Sequence, residues 1–357
     1  MFKYKNLAEN IEPYKIPSTT DYKYKMDMGE WSLSIHSSVL DEFKNFNSLY
    51  KYGVVDSDFI EILNLIKNYN GLINTNETVL LTNGSDNAIR LILEIFATEE
   101  SKILVPIPSY AHFECMMETY KVKQVKKPYM NYNLTNIELN EFLLNELIDE
   151  YDLCYIVNPS MPIGHILSIY NIKKMLKKFP NTVFILDEAY IEFSRNTTCA
   201  SLIEEFNNLI VIRTFSKFFS LASLRLGYLM TNPSFIKLIK PYYNYKDITK
   251  ISVNCALQSL KHIEFYNNNK EKYFELKKYI INNLQEIIKD NNKIIDYIMN
   301  DGMYFTIICT DPTDLKKLFD SHSIAVRNKD SDIKGAIRLT INNIEVLDKV
   351  FEVLKNY

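Results

Sequence analysis

Short apolar runs alternate with helix-like stretches through the first two thirds of this 357-residue chain. The apolar runs occupy residues 79–81, 103–105, 153–157, 183–186 and 209–212. Continuous apolar runs of this length, separated by helical segments, are typical of strands in a parallel sheet that is covered on both faces. The pattern therefore predicts an α/β fold built on a mostly parallel sheet.

The pattern changes after about residue 240. Residues 262–298 are highly charged and predict one long helix, and three strand-like segments follow at 304–309, 324–327 and 336–341. These segments favour a smaller α+β domain beside the larger one. We therefore expect a major domain over residues 36–240, and a second unit in which the N-terminal arm, residues 1–35, joins residues 241–357.

Composition limits the possible partners of the chain. Its net charge of −3 gives no basic surface for nucleic acid. No apolar run is long enough to span a bilayer, and the first residues lack the apolar core of a secretory signal. The five cysteines are scattered and odd in number, and the five histidines show no metal-ligand spacing. We expect a cytoplasmic protein that binds small molecules, without a metal site, a membrane or nucleic acid.

Polar residues follow the apolar runs where the predicted strands end. Asp187 and Tyr190 come after the run at 183–186, and Lys217 comes after the run at 209–212. Ligands of such sheets bind beyond the carboxyl ends of the strands. A lysine amine there is a potential nucleophile toward a carbonyl, and a buried carboxylate requires a cationic partner.

A second set of strand-end residues is suited to a phosphate group. Gly84, Ser85 and Asp86 open a predicted helix, whose free N–H groups and dipole favour an anion. Thr214, Ser216 and Arg225 flank Lys217 and add two hydroxyls and a guanidinium. A phosphorylated pyridine aldehyde needs a lysine, a carboxylate, a phenol and a phosphate cradle together, so the sequence predicts a site for pyridoxal 5′-phosphate.

The chain resembles the fold-type I pyridoxal-phosphate enzymes, and within them the branch of histidinol-phosphate aminotransferase and threonine-phosphate decarboxylase. The segments FILDEAYIEF (184–193), IRTFSKFFSLASLRLGY (212–228) and TNGSDNAI (82–89) carry the resemblance. It implies a three-layer αβα major domain, a smaller α+β domain and a homodimer. It also implies that Lys217 forms the aldimine with the cofactor, and that Arg225 binds the cofactor phosphate.

The resemblance implies roles for five further residues. Tyr110 in PSYAHF would stack on the cofactor, and Tyr52 in LYKYGVVDSDF would reach the phosphate of the neighbouring subunit's cofactor. Tyr14 in LAENIEPY, together with Arg327 in IAVRNKD and Arg338 in GAIRLTI, would contact the substrate. The first two assignments extend the predicted cofactor site, and the last three add a substrate end to it.

The chain departs from the family pattern in two places. The family's Asn-Asn-Pro-Thr-Gly reads Ser-Met-Pro-Ile-Gly at 160–164, and its Asn-Glu-Asn-Pro reads Gly-Glu-Trp-Ser at 29–32. Met161 therefore stands where an asparagine normally donates to the phenolic oxygen of the cofactor, and a thioether has no hydrogen to donate.

The resulting prediction is an aminotransferase that moves an amino group between an amino acid or phosphorylated amine, such as histidinol phosphate, and a 2-oxo acid. Two alternatives stay open: an amino-acid decarboxylase of the threonine-phosphate type, and a homologue that binds the cofactor but is catalytically impaired. The sequence also contains S-x-x-K at 48–51 and S-D-N at 85–87, two of the three motifs of penicillin-binding serine acyltransferases, but K-T-G is absent.

Overall fold

A computed structural model describes residues 21–31, 35–53, 56–73, 77–128, 141, 143, 145 and 151–357. The expected substrate contact Tyr14 lies outside these residues. Within the described ranges, no helix combines the length and apolar character needed to cross a membrane.

A seven-stranded sheet forms the larger part of the fold. Its strands are β2 (Val79–Thr82), β3 (Lys102–Ile107), β4 (Lys123–Pro128), β5 (Leu153–Val157), β6 (Val183–Asp187), β7 (Leu209–Thr214) and β8 (Gly227–Thr231). The spatial order is β2-β8-β7-β6-β5-β3-β4. Strands β3 to β7 pair in parallel, while β8 pairs antiparallel to both β7 and β2. The sheet is thus mixed and mostly parallel, as the apolar pattern predicts.

A second, four-stranded antiparallel sheet is built from the C-terminal part of the chain. It contains β9 (Ile294–Ile298), β10 (Tyr304–Cys309), β12 (Arg327–Asn328) and β13 (Ala336–Thr340), in the order β12-β13-β10-β9. Beside it, β1 (Tyr24–Lys25) pairs in parallel with β11 (Ile324–Ala325). This pairing joins the described part of the N-terminal arm to the C-terminal unit, although the domain boundaries themselves stay a prediction.

Helices connect the strands of both sheets. In the described residues they are α1 (Ser37–Asn45), α2 (Ser57–Tyr69), α3 (Gly84–Phe96), α4 (Ala111–Thr119), α5 (Ile169–Lys178), α6 (Pro233–Ile239), α7 (Lys250–Lys261), α8 (Ile263–Asp290), α9 (Pro312–Ser321) and α10 (Ile344–Lys355). Side-chain caps begin several of them, as Asp56 does for α2 and Asn343 for α10.

The single long helix expected over 262–298 is wrong at its C-terminal end. Helix α8 ends at Asp290, and residues 294–298 form β9, which pairs antiparallel with β10. In IIDYI only Ile294 and Ile298 are buried, so the segment lacks a continuous apolar run. Its conformation is set by pairing with β10, whose six residues are all buried.

Candidate active site

A cavity of about 250 Å³ lies where the carboxyl ends of the parallel strands meet residues from the four-stranded sheet. Twelve of the residues predicted from sequence line it: Ser85, Asp86, Tyr110, Met161, Asp187, Tyr190, Thr214, Ser216, Lys217, Arg225, Arg327 and Arg338. Tyr52 is not among the lining residues, and its side chain is 68% exposed on the surface of this single chain. The fold therefore brings most of the predicted site together in one place.

Lys217 lies just beyond β7 and points toward the segment that follows β1. Its Nζ donates to the carbonyl oxygens of Met28, at 3.1 Å, and Gly29, at 3.3 Å. Gly29 has a φ of +67°, and a Cβ there would lie 3.1 Å from Tyr190 Oη and 3.3 Å from Lys217 Nζ. Glycine at position 29 therefore leaves room for both reactive side chains.

Asp187 ends β6 and is almost fully buried. The Tyr155 hydroxyl donates to Oδ2 at 2.7 Å, and the Ala189 amide donates to Oδ1 at 3.1 Å. Burial raises the pKa of Asp187 to about 6, although these two hydrogen bonds oppose the increase. Tyr155 is held in turn by stacking on Phe113, with ring centroids 3.6 Å apart. The carboxylate is thus fixed in position and favours a cationic or N–H partner.

The start of α3 and Arg225 form a cradle for an anion. The N-cap residue Asn83 makes no side-chain capping bond, so the helix N-terminus keeps amide groups that an anion can accept from. A Cβ at Gly84 would lie 2.7 Å from Arg225 Nη2, so only glycine allows the guanidinium this close. Arg225 itself has a φ of +51°, a left-handed conformation that costs a non-glycine residue roughly 1 kcal/mol or more.

Asp86 has a different role from the direct phosphate contact that the sequence suggests. Its Oδ1 accepts from the Tyr110 hydroxyl at 2.9 Å, and its Oδ2 accepts from Arg225 Nη2 at 3.3 Å. Burial, followed by the Asp86 charge, raises the pKa of Tyr110, which keeps the phenol protonated as a donor. Asp86 therefore orients the aromatic ring and the guanidinium at this end of the cavity.

Arg338 lies at the opposite end of the cavity, on the central strand β13. Its Nη1 donates to Met161 Sδ at 3.1 Å, and its Nη2 donates to the carbonyl oxygen of Asp27. Its Nε is buried without a hydrogen-bond partner. Burial lowers the pKa of Arg338, and a thioether is a weak acceptor for a guanidinium. The side chain therefore has bonding capacity left for a ligand.

Sequence reasoning missed several lining residues, among them Asp27, Glu30 and Lys329. Lys329 is buried, its Nζ lies 2.5 Å from Asp332 Oδ2, and burial lowers its pKa. A signal existed for this residue, because Arg327 and Lys329 are two positions apart, and alternate residues of extended backbone share a face. Asp27 had no comparable signal.

A family model described as "Aminotransferase class I and II" matches residues 40–354 of the chain. The dihydroxyacetone phosphate transaminase of Campylobacter jejuni is 32% identical over 262 residues, covering 71% of this chain and 70% of that protein. A histidinol-phosphate aminotransferase of Thermoanaerobacter sp. is 28% identical over 360 residues, covering 97% of this chain and 95% of that protein.

Solved structures resemble the fold over almost the whole chain. The histidinol-phosphate aminotransferase of Sinorhizobium meliloti, in complex with pyridoxal-5′-phosphate, has a TM-score of 0.80 at 18% identity and covers 94% of this chain and 92% of that one. The L-threonine-O-3-phosphate decarboxylase of Porphyromonas gingivalis has a TM-score of 0.79 at 19% identity, with coverages of 93% and 98%. These likenesses confirm the predicted fold class.

Proposed function

Because the chain belongs to the class I and II aminotransferases, which use pyridoxal 5′-phosphate, we propose that it transfers an amino group between a phosphorylated amine and a 2-oxo acid. The observation that carries the proposal is one continuous cavity. Lys217 and Asp187 line one end of it, and the cations Arg327, Lys329 and Arg338 line the other.

The first end fits the cofactor. Lys217 would supply the amine that holds the aldehyde, and Asp187, fixed by its two hydrogen bonds, would supply a carboxylate for the ring nitrogen. The start of α3, Thr214, Ser216 and Arg225 supply donors for the phosphate. Asp187 already feels the charge of Lys217, and a protonated ring nitrogen would add a cationic partner at the buried carboxylate.

The second end fits a phosphorylated substrate. Three cationic side chains converge on a small cavity, and in the described residues Asp332 offsets the charge of Lys329 through an ion pair. Arginine pairs well with phosphate because its planar donors match the phosphate oxygens. The names of both relatives support this choice, since histidinol phosphate and dihydroxyacetone phosphate are both phosphate esters.

Proton transfer is the main chemical task of the chain in this proposal. The bound cofactor withdraws electrons from the carbon that carries the amino group. Lys217 Nζ takes the proton from that carbon and returns it on the cofactor side, acting as base and then as acid. Arg338 and Arg327 orient the substrate, while Tyr190 and Tyr110 hold the ring. The same residues would serve decarboxylation when a carboxylate occupies the scissile position. An assay must therefore detect the keto product of amino transfer and the carbon dioxide of decarboxylation separately.

A donor panel tests the proposal directly. The chain loaded with pyridoxal 5′-phosphate is mixed separately with histidinol phosphate, L-glutamate and O-phospho-L-threonine, and with histidinol as the matched donor without phosphate. Visible absorbance follows conversion of the cofactor, mass spectrometry identifies the keto product, and released carbon dioxide is measured. Borohydride reduction followed by peptide mapping locates the bound cofactor.

We expect amino transfer from a phosphorylated donor, little reaction with histidinol, and a reduced adduct at Lys217. Release of carbon dioxide in place of a keto product would assign the decarboxylase alternative. A Lys217 adduct without turnover of any donor would assign the impaired homologue. No adduct at all would overturn the cofactor site.

We also propose that two copies of the chain form a homodimer in which Tyr52 completes the partner's site. Large apolar side chains that are near Tyr52 in sequence are exposed in this single chain, namely Leu40, Phe43, Leu49, Tyr50, Ile60 and Ile73. Such a concentration of exposed apolar groups is typical of an interaction surface.

The five cysteines are free thiols, which supports the expected reducing, cytoplasmic location.

Mixed dimers test the position of Tyr52. We expect Lys217→Ala and Tyr52→Ala chains each to be weakly active alone. In a mixed dimer, one of the two sites combines an intact Lys217 with a Tyr52 from the other chain. In a 1:1 mixture about half of the dimers are mixed, and each has one intact site, so we expect activity to rise toward about a quarter of the wild-type value. No increase, with mixed dimers demonstrated by mass spectrometry, would show that Tyr52 does not act across the interface.

A further inference from the structure

Asp27 is a buried carboxylate whose bonding is incomplete. Its side chain is 6% exposed and lines the cavity, and its Oδ1 is buried without a hydrogen-bond partner. Burying an unpaired carboxylate oxygen is unfavourable, so native structures rarely keep one without a use. The position of Asp27 in the cavity therefore points to a ligand contact.

The backbone holds Asp27 firmly in place. The Met26 amide donates to the carbonyl of Ala325 at 3.0 Å, and the carbonyl of Met26 accepts from the Thr340 amide at 2.8 Å. On the other side, the Gly29 amide donates to Thr340 Oγ1 at 3.0 Å. Asp27 is thus anchored on both sides, and its side chain has a fixed direction relative to β13.

Asp27 also lies between the two functional ends of the cavity. Its own carbonyl accepts from Arg338 Nη2, and the carbonyl of the next residue, Met28, accepts from Lys217 Nζ at 3.1 Å. A substrate that spans from Lys217 to Arg338 therefore passes beside residue 27. Arg338 Nε is also unsatisfied, so an unmet donor and an unmet acceptor occur on neighbouring residues of one wall.

We propose that Asp27 is a specificity-determining residue, which accepts a hydrogen bond from a hydroxyl or N–H group on the non-phosphorylated arm of the substrate. This inference rests on the proposed function, because it assumes a phosphorylated amine whose phosphate binds the cationic end. An amine carbon with two arms then places its phosphate near Arg338 and its second arm against Asp27. The carboxylate accepts a donor group there and disfavours an apolar or anionic one.

A purely structural role for Asp27 would be that of a counter-ion to Arg338. That role concerns the anion-binding end alone. Neutralising Asp27 would then change the binding of every phosphorylated amine by the same factor, whatever its second arm carries. The two roles therefore differ in their effect on discrimination between substrates that share the phosphate.

Two amines that differ by one hydroxyl provide the test. The holoenzyme is assayed with 2-amino-3-hydroxypropyl phosphate and with 2-aminopropyl phosphate, and the ratio of their kcat/KM values is compared for wild type, Asp27→Asn and Glu30→Gln. Asparagine keeps the shape of the side chain but removes its charge. Glu30 is an exposed carboxylate that lines the same cavity, so its variant controls for the loss of one negative charge. Thermal unfolding of each variant confirms folding, and histidinol phosphate serves as a third probe whose arm carries an N–H donor.

We expect wild type and Glu30→Gln to prefer the hydroxylated probe by at least about tenfold, and Asp27→Asn to lose most of that preference. A ratio that Asp27→Asn leaves unchanged, or equal changes for all probes, would overturn the inference. If Asp27→Asn does not fold, the absence of a hydroxyl or N–H preference in wild type alone would overturn it. L-Glutamate distinguishes failure of the Asp27 assignment from failure of the proposed aminotransferase activity. Amino transfer from glutamate without reaction of any phosphorylated probe would refute the Asp27 assignment, whereas the aminotransferase activity would still hold.

Discussion

The two ends of the cavity are built in different ways. At the cofactor end, Asp187 and Lys217 lie at the carboxyl ends of neighbouring parallel strands, and both side chains already have hydrogen-bond partners within the chain. At the substrate end, Asp27, Met161 and Arg338 come from three distant segments, and two buried polar atoms have no hydrogen-bond partner. The two reactive side chains of the first end are thus held in place before a substrate binds, whereas the second end has unused bonding capacity.

This difference separates chemistry from recognition. Residues that act on every substrate gain from a rigid, satisfied environment, because preorganised groups need no rearrangement during the reaction. Residues that distinguish substrates keep unmet donors and acceptors, since only the correct ligand can then satisfy them. Substitutions at the two ends should accordingly affect different kinetic parameters.

The two lysines of the cavity give the largest contrast. Lys217→Ala removes the group that transfers the proton, so we expect kcat to fall by at least about 10³-fold. Lys329→Ala removes a cation from the substrate end, so we expect KM for a phosphorylated donor to rise by roughly tenfold while kcat changes little. Steady-state kinetics with histidinol phosphate measure both values. Equal losses of kcat in the two variants would contradict the division between the two ends.

Asp187 allows a test on the cofactor end in the absence of any ligand. Its pKa of about 6 lies above the ordinary 3.8 because the carboxyl is buried, so the native state holds the proton more tightly than the unfolded chain. The stabilisation from this group is therefore present below about pH 4 and is lost as pH rises through 6. The difference between the two pKa values corresponds to about 3 kcal/mol.

Asp187→Asn should remove this pH dependence. We expect the free energy of unfolding of the cofactor-free variant, relative to wild type, to rise by about 2–3 kcal/mol between pH 4 and pH 7, while activity of the loaded enzyme falls by roughly 10²-fold or more. Urea denaturation at a series of pH values measures the first effect. If the free energies of unfolding of the two proteins change with pH in the same way, burial does not raise the pKa of Asp187.

The same contrast explains what could be predicted from sequence. The cofactor end follows apolar runs that form strands of one sheet, so Asp187, Lys217 and Arg225 could be assigned from local order. Asp27 could not, because its burial depends on bonds from Met26 to Ala325 and Thr340, about 300 positions away. No periodicity in a short segment reveals such a partner.

The fold was predictable to a similar degree and for similar reasons. The parallel strands β3, β5, β6 and β7 could be predicted because each contains an apolar run. All six positions of β7, for example, are buried. Strand β4 was not predicted, because its sequence, KQVKKP, is rich in lysine and has no apolar run. Lysine is common in strands at the edge of a sheet, where β4 lies. Strand β9 was predicted as part of a helix, because its strand conformation depends on the pairing with β10.

Met161 joins the two ends, and its replacement gives the smallest expected effect. In Met161→Asn, the amide oxygen can accept from Arg338 Nη1 in place of the sulfur, and the amide nitrogen can donate to the phenolic oxygen of the cofactor. A hydrogen bond to a charged group contributes about 1.5–3 kcal/mol, so the visible absorbance of the holoenzyme should titrate about 1–2 pH units lower. Met28→Asn is the matched control, because Met28 lines the same cavity but is 44% exposed. If the titration of Met161→Asn stays at the wild-type pH or moves upward, the missing donor at position 161 does not set the electronic state of the cofactor, and the influence of this residue is confined to Arg338 and the substrate.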